Sequence, residues 1–205
     1  VDFAAKYADA IFAIQPRPED AARYFAGIKG RMDELGRNPD ECKILFGAQP
    51  IIGATEAEAR EKQAFHNSLV PLEGGMTILS AHADFDLSRL AADDLMAART
   101  EPELQRLKTR FLKPSGQSMT LREVAERHGQ SVGLPQFVGT PESVADEMQS
   151  FLEVAGGDGF MLSPIYCPGA IEEFVDLVVP LLQRRGLMRT EYKGRTMRQI
   201  LRQED

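Results

Sequence analysis

Apolar residues fall into short unbroken runs, and between these runs lie longer stretches in which they recur every three or four positions. Ala8-Asp9-Ala10-Ile11-Phe12-Ala13-Ile14 is the first run, ended by Gln15-Pro16. A run of this kind predicts a buried strand near 8–14. Pro18-Glu19-Asp20 then opens an amphipathic helix with Ala22, Phe25, Ile28, Met32 and Leu35 on one face, and Gly36 stops it. Lys43 to Gln49 predicts a second strand, possible to extend to Ile52, and Thr55-Glu56-Ala57-Glu58 resembles the capping box of a following helix. The pattern returns at 136–139, where Thr140-Pro141 caps a helix carrying Val144, Met148, Phe151 and Leu152, and again at 159–163. A last helix over about 170–185 carries Ile171, Phe174, Leu177, Val178 and Leu181, with a kink expected at Pro180.

Strand–helix units in series imply α/β architecture with a parallel sheet and outer helices. A complete eight-stranded barrel takes ~250 residues; four units in 205 residues predict half of one. The strands are expected to lie side by side in chain order. The stretch from about 66 to 130 breaks the rhythm and reads as a large insertion, with a break at Gly74-Gly75, a polar segment at Lys113-Pro114-Ser115-Gly116-Gln117 and a new helix from Thr120. Residues 1–65 and 131–185 then hold two units each, and 186–205 form a tail.

The charge of −7 excludes a general nucleic-acid-binding role, because no basic stripe offsets phosphate repulsion. The mixed basic tail from Arg184 to Arg202 reads as solvated or subunit-contacting. No apolar run has the length of a membrane span. Val1-Asp2-Phe3-Ala4 lacks the features of a secretory signal, and a start without Met predicts a beginning inside a longer polypeptide. Cys42 and Cys167, distant and without soft-ligand neighbours, predict neither a zinc site nor a disulfide framework. A reducing, cytoplasmic setting is expected.

Phe3-Ala4-Ala5-Lys6-Tyr7-Ala8-Asp9-Ala10-Ile11-Phe12, Val138-Gly139-Thr140-Pro141-Glu142-Ser143 and Asp158-Gly159-Phe160, with Phe174 to Pro180 and Leu182 to Tyr192, stand in that order along the chain. Together they resemble the bacterial-luciferase-like flavin-dependent monooxygenases, in the group acting on nitrilotriacetate, dibenzothiophene sulfone and long-chain alkanes. The resemblance implies the C-terminal half of a luciferase-like (β/α)8 TIM barrel. It implies reduced flavin mononucleotide (FMN) and O2 as cofactors, a separate flavin reductase as partner, and a small organic substrate. Such a site lies at the strand C-terminal ends, here Gln15, Gln49-Pro50, Val138-Gly139 and Ser163 to Tyr166. The family's first four units would precede Val1, and Val1 and Asp2 are at best the trailing edge of its phosphate-binding loop. A missing N-terminal half or a second copy of the chain, as a homo-oligomer, is the expected partner. A non-catalytic half-barrel module and a deazaflavin-dependent relative are the alternatives.

Single residues carry two readings each. The resemblance makes His128 an active-site residue able to move a proton near neutral pH; otherwise it is an exposed histidine favoured by a helix C-terminus. Tyr166 walls the substrate pocket, or packs on its own Pro-rich loop. Cys167 reads as a small buried side chain. His66 and His82 read as surface or loop residues, and Glu172-Glu173 and Asp93-Asp94 as solvated helix faces. Neither Gly74-Gly75 nor Gly156-Gly157 has the spacing of a dinucleotide fingerprint.

Overall fold

β-Branched and aromatic runs become strands here, and each strand is followed by a helix. The computed structural model describes residues 1–105, 108 and 115–202. Lys113 and Pro114 of the polar segment, and 203–205 of the tail, lie outside the described residues. The chain divides into one unit of Val1–Gln63 with Leu134–Asp205 and a second of Ala64–Gly133.

The first unit holds β1 (Ala10–Ala13), β2 (Lys43–Ile52), β3 (Gln136–Gly139) and β4 (Gly159–Leu162). Its helices are α1 (Asp2–Tyr7), α2 (Pro18–Glu34) and the body of α3 (Glu56–Ser68). Beyond the second unit, whose helices are α4 (Leu72–Ala83) and α5 (Leu121–Ser131), come α6 (Pro141–Ala155), α7 (Gly169–Glu173), α8 (Val179–Arg184) and α9 (Met197–Arg202). Local chemistry sets these bounds. Pro18 stands in the first turn of α2, and Gly36 follows it at φ 70°. The Thr140 side chain accepts from Ser143 N at the start of α6, and Gly156 ends that helix in the left-handed region. Between α7 and α8 a π-turn over Phe174–Val178 precedes Pro180, which is the expected local break.

Among the described strands every pairing is parallel. The order differs from the chain order expected. β1 pairs with Lys43–Phe46, β3 with Gln49–Ile52, and β4 with Leu45–Ala48 of β2 instead of with β3. The ten residues of β2 leave room for partners of four residues each. β1 and β4 overlap on Leu45 and Phe46, so they occupy opposite edges of β2. Asp158 fixes the entry of β4: its Oδ2 accepts from Ile44 N at 2.8 Å, and its carboxylate lies 3.5 Å from Lys29 Nζ and 3.4 Å from Lys43 Nζ.

One face of this sheet, with Ile11, Ala13, Ile44, Phe46 and Ala48, belongs to the same buried core as Ile28 and Met32 of α2, Val144, Met148 and Phe151 of α6, and Phe174 and Val178. Phe151 stands with its ring 6.0 Å from Phe46, 5.9 Å from Phe137 and 5.7 Å from Phe160, edge-on or tilted. Such pairs contribute ~0.5–1.5 kcal/mol beyond their buried area. The opposite face carries Phe12 and Met161, 47% and 46% exposed. Across it Gly47 leaves room that Phe12 and Leu134 fill: a Cβ at Gly47 would lie 2.9 Å from Phe12 and 2.3 Å from Leu134.

The second unit is built on α4 and α5 around Leu79, Leu87, Met96, Leu104, Leu121, Val124 and Ala125. Thr120 and Glu123 form a reciprocal capping box on α5. Gly74 and Gly75, expected to break the chain, lie inside α4. Gly75 lets two helix backbones approach: a Cβ there would come within 2.3 Å of the Ala125 carbonyl oxygen. Gly129 of α5 sits opposite, its own Cβ position 3.1 Å from Gly75 Cα. Among the described residues no helix is long and apolar enough to cross a membrane.

Candidate active site

Parallel strands run in one direction, so the loops after them collect side chains from distant parts of the sequence. In the first unit Gln49 of β2 is buried and stands in register with Gln136 of β3. Gln136 Nε2 donates to Gln49 Oε1 at 2.7 Å, and Gln63 Nε2 donates to Gln136 Oε1 at 2.7 Å. The ladder satisfies amide groups whose burial would otherwise cost ~1–3 kcal/mol each. Gln49 was expected at a strand end, but β2 runs on to Ile52 and Gln49 lies inside it, opposite the first residue of β3; Gln63 and Gln136 were not legible, because only the strand register brings them together.

Tyr166 follows β4. Its hydroxyl donates to Glu173 Oε1 at 3.0 Å, and the same oxygen accepts from Lys62 Nζ at 2.9 Å. Lys62 also donates to the carbonyl of Ile52, the last residue of β2, at 2.8 Å. Glu173 is therefore not the solvated helix residue that its neighbour Glu172 suggested; it joins α7 to α3 and to the loop after β4. Burial raises the Tyr166 pKa, and the bond to Glu173 raises it further. Burial alone would lower the Lys62 pKa, but Glu173, with smaller contributions from Tyr166 and Glu58, outweighs it and leaves the ammonium more firmly protonated. The Tyr166 ring is 45% exposed and lies over Gly169, where a Cβ would meet it at 2.6 Å. The ring thus packs on its own loop, and the hydroxyl is tied to a charged pair near the strand ends. Pro50, Ile52, Lys62, Ile165, Tyr166 and Glu173 line a narrow crevice there, too tight to admit a water molecule.

Beside it, Glu56 Oε1 accepts from Ser143 Oγ at 2.5 Å and from Thr140 N at 3.3 Å. These bonds hold the Glu56 pKa below the usual carboxylate range. Gly139 makes room, since a Cβ there would lie 2.8 Å from Glu56 Oε1. The Gly139-Thr140-Pro141-Glu142-Ser143 segment is thus a helix start clamped to the α3 carboxylate.

Val1 is exposed and precedes α1, and the Asp2 carboxylate takes Arg31 Nε at 2.8 Å. The tail returns to this unit, with Arg198 2.8 Å from Asp9. Residues 186–191, Lys193 and Ile200 surround a cavity of about 430 Å³ within the tail. Cys42 is buried, which raises its thiol pKa against the pull of Lys29 and Arg37. Cys167, expected to be buried, is exposed on the loop after β4.

His128 belongs to the second unit. It is 2% exposed in the last turn of α5, which overturns its reading as an exposed residue. Its Nε2 is 2.8 Å from Nδ1 of His82, and the rings meet edge to face with centroids 5.0 Å apart. His82 lies on α4, exposed, and His66 on α3 bonds the Gln130 carbonyl through Nε2 at 3.0 Å. Neither is a loop residue. Among the described residues no three His, Cys, Asp or Glu side chains are grouped to hold a metal ion.

The profile of the luciferase-like monooxygenases matches residues 1–159. The dibenzothiophene-sulfone monooxygenase of Rhodococcus erythropolis is 38% identical over 97% of this chain, which spans 45% of that protein. Component A of the nitrilotriacetate monooxygenase of Aminobacter aminovorans is 32% identical over 98% of the chain, again spanning 45% of the relative. The crystal structure of DmoA from Hyphomicrobium sulfonivorans superposes with a TM-score of 0.86 at 28% identity, covering 98% of this chain and 42% of that one. The chain thus spans less than half the length of these relatives.

Proposed function

Because the chain belongs to the luciferase-like monooxygenase family, we propose that it works as the C-terminal part of a two-component monooxygenase. In this reading reduced FMN and O2 are the cofactors, a separate reductase supplies the reduced flavin, and a small organic molecule is the substrate. The observation that carries the reading is the parallel set of β/α units with polar side chains at the strand C-terminal ends, in a stretch shared with monooxygenases of different substrates. Bound flavin would supply the oxygen chemistry, and the protein would supply orientation and exclusion of water.

The described residues do not by themselves fit the whole flavin. Ligand pockets of that class take ~300–1,000 Å³, and the crevice beside Tyr166 is too tight to admit even a water molecule. At the other end, Asp2 places a carboxylate where a phosphate would need positive charge, and Arg31 is already engaged with it. Partial contributions remain. The Tyr166 hydroxyl, held by Glu173, is a fixed polar group on the pocket wall. His128 contributes a ring nitrogen able to take or give a proton near neutral pH. The cytoplasm is the setting that such an enzyme would share with its reductase.

FMN titration followed by fluorescence quenching tests the reading. The 205-residue chain alone is expected to quench weakly or not at all. The same chain supplied in trans with the N-terminal part of the dibenzothiophene-sulfone relative is expected to bind FMN and to consume O2 with reductase-supplied flavin. A folded mixture that neither binds FMN nor consumes O2 would count against it.

A further inference from the structure

The geometry points to His82 as the solvent-facing port of a two-histidine proton relay that serves His128. His128 is 2% exposed, whereas His82 is exposed, and only 2.8 Å separates His82 Nδ1 from His128 Nε2. At that distance the two nitrogens share one proton, because two lone pairs or two N–H groups facing each other would repel. Burial removes water as a direct proton source for His128 at this nitrogen.

The transfer runs between water, His82 and the Nε2 of His128. A proton from water binds Nε2 of His82, and that ring becomes cationic. His82 then passes its Nδ1 proton to the Nε2 lone pair of His128, so the positive charge moves one ring inward. His128 then carries protons on both nitrogens, and His82 is neutral with its proton on Nε2. The reverse transfer returns the proton from His128 Nε2 to His82 Nδ1, and His82 Nε2 gives its own to water. No heavy atom has to move.

The helix pair keeps the two rings at this separation. The Gly75 contact with Ala125 fixes the spacing of α4 and α5, and Gly129, next to His128, meets Gly75 across it. Leu79 and Val124, both fully buried, pack between the same helices. His82 is thus a positioning and relay residue for His128. Only the use of the delivered proton rests on the proposed monooxygenase reading.

Histidine-ring ¹⁵N spectra of the full chain without flavin test the relay, and the three histidines make assignment direct. Wild type is expected to show a scalar coupling across the bond between His82 Nδ1 and His128 Nε2. His82→Asn puts an amide nitrogen where Nδ1 stands, so it keeps a donor but cannot carry a proton through. In this variant exchange of the His128 ring proton with solvent is expected to slow at least tenfold, while the His66 signal stays unchanged as a check on the fold. If His82→Asn does not fold, His82→Gln takes its place in the same measurement. Absence of the coupling, or an unchanged exchange rate in the folded variant, overturns the relay. Because no flavin is present, failure of the cofactor reading leaves this result untouched.

Discussion

Asp158 Oδ2 accepts the backbone N–H of Ile44 at 2.8 Å, across a separation of 114 residues. The bond places the entry of β4 against β2 at the strand N-terminal ends, away from the loops that carry Tyr166. A residue in that position acts on stability, in keeping with the division of labour between the two ends of β/α barrels.

Asp158→Ala is expected to destabilise the fold by about 2 kcal/mol, the scale of a hydrogen bond to a charged group, because Lys29 and Lys43 also lose a partner. Asp158→Asn keeps an acceptor and is expected to cost about half as much. Urea unfolding of both variants checks the ranking; an Asn variant as weak as the Ala variant would show that the charge dominates.

The two glycines of α4 are expected to respond in opposite ways. Gly75→Ala meets backbone at 2.3 Å and is expected to lose about 2 kcal/mol, the scale of overpacking. Gly74→Ala meets only the Pro71 ring at 3.3 Å and is expected to gain up to ~0.5 kcal/mol of helix propensity. Thermal unfolding followed by circular dichroism separates them, and equal effects would refute the close-approach argument.

Tyr166 is expected to ionise at higher pH than an ordinary tyrosine. Its raised pKa means that the folded chain holds the phenolic proton more tightly than the unfolded chain. The stabilisation is therefore complete below the ordinary value of about 10 and is lost as pH rises through the folded value. Glu173→Gln is expected to bring the Tyr166 transition down toward the ordinary value. Tyrosinate absorbance against pH, with Tyr166→Phe subtracted to isolate one of the four tyrosines, measures this. No shift on Glu173→Gln would leave burial as the whole cause.

The sheet face carrying Phe12 and Met161 is expected to drive self-association of the 205-residue chain, because exposed apolar clusters mark interaction surfaces. Sedimentation velocity should show a concentration-dependent oligomer, and the double substitution Phe12→Asp, Met161→Asp should give a monomer. A wild-type monomer at all concentrations would remove the face as an interface.

Local chemistry was legible along the chain where a residue acts on its own neighbours. Thr140-Pro141, Thr120 with Glu123, and Gly36 mark helix ends through bonds made within a turn, so the four strands and their helices fall where the apolar runs place them. Spatial partners were not legible. The pairing of β4 with β2 depends on Asp158 reaching Ile44, and no periodicity encodes it. Gly75 has the local signature of a breaker, and only the arrival of Ala125 turns it into a packing position. Glu173 looked solvated because its partners, Lys62 and Tyr166, come from other elements, and His82 is indeed exposed, but nothing near it in the chain announced its contact with His128. Family resemblance drew attention to His128 and Tyr166, but the residues that orient them had to come from the geometry.

Among the described strands, β2 is the one that pairs with all three others. This has a consequence for how the molecule is made. Residues 43–52 emerge from the ribosome long before 136–139 and 159–162, so after β1 docks at its start the strand keeps unsatisfied ladder positions while more than a hundred further residues are synthesised. Non-local pairing of this kind slows folding and prolongs exposure of apolar side chains and unpaired backbone groups. Completion of the sheet is then a late event, gated by the arrival of Asp158. Chaperone dependence during synthesis is the corresponding vulnerability of a fold with one central strand.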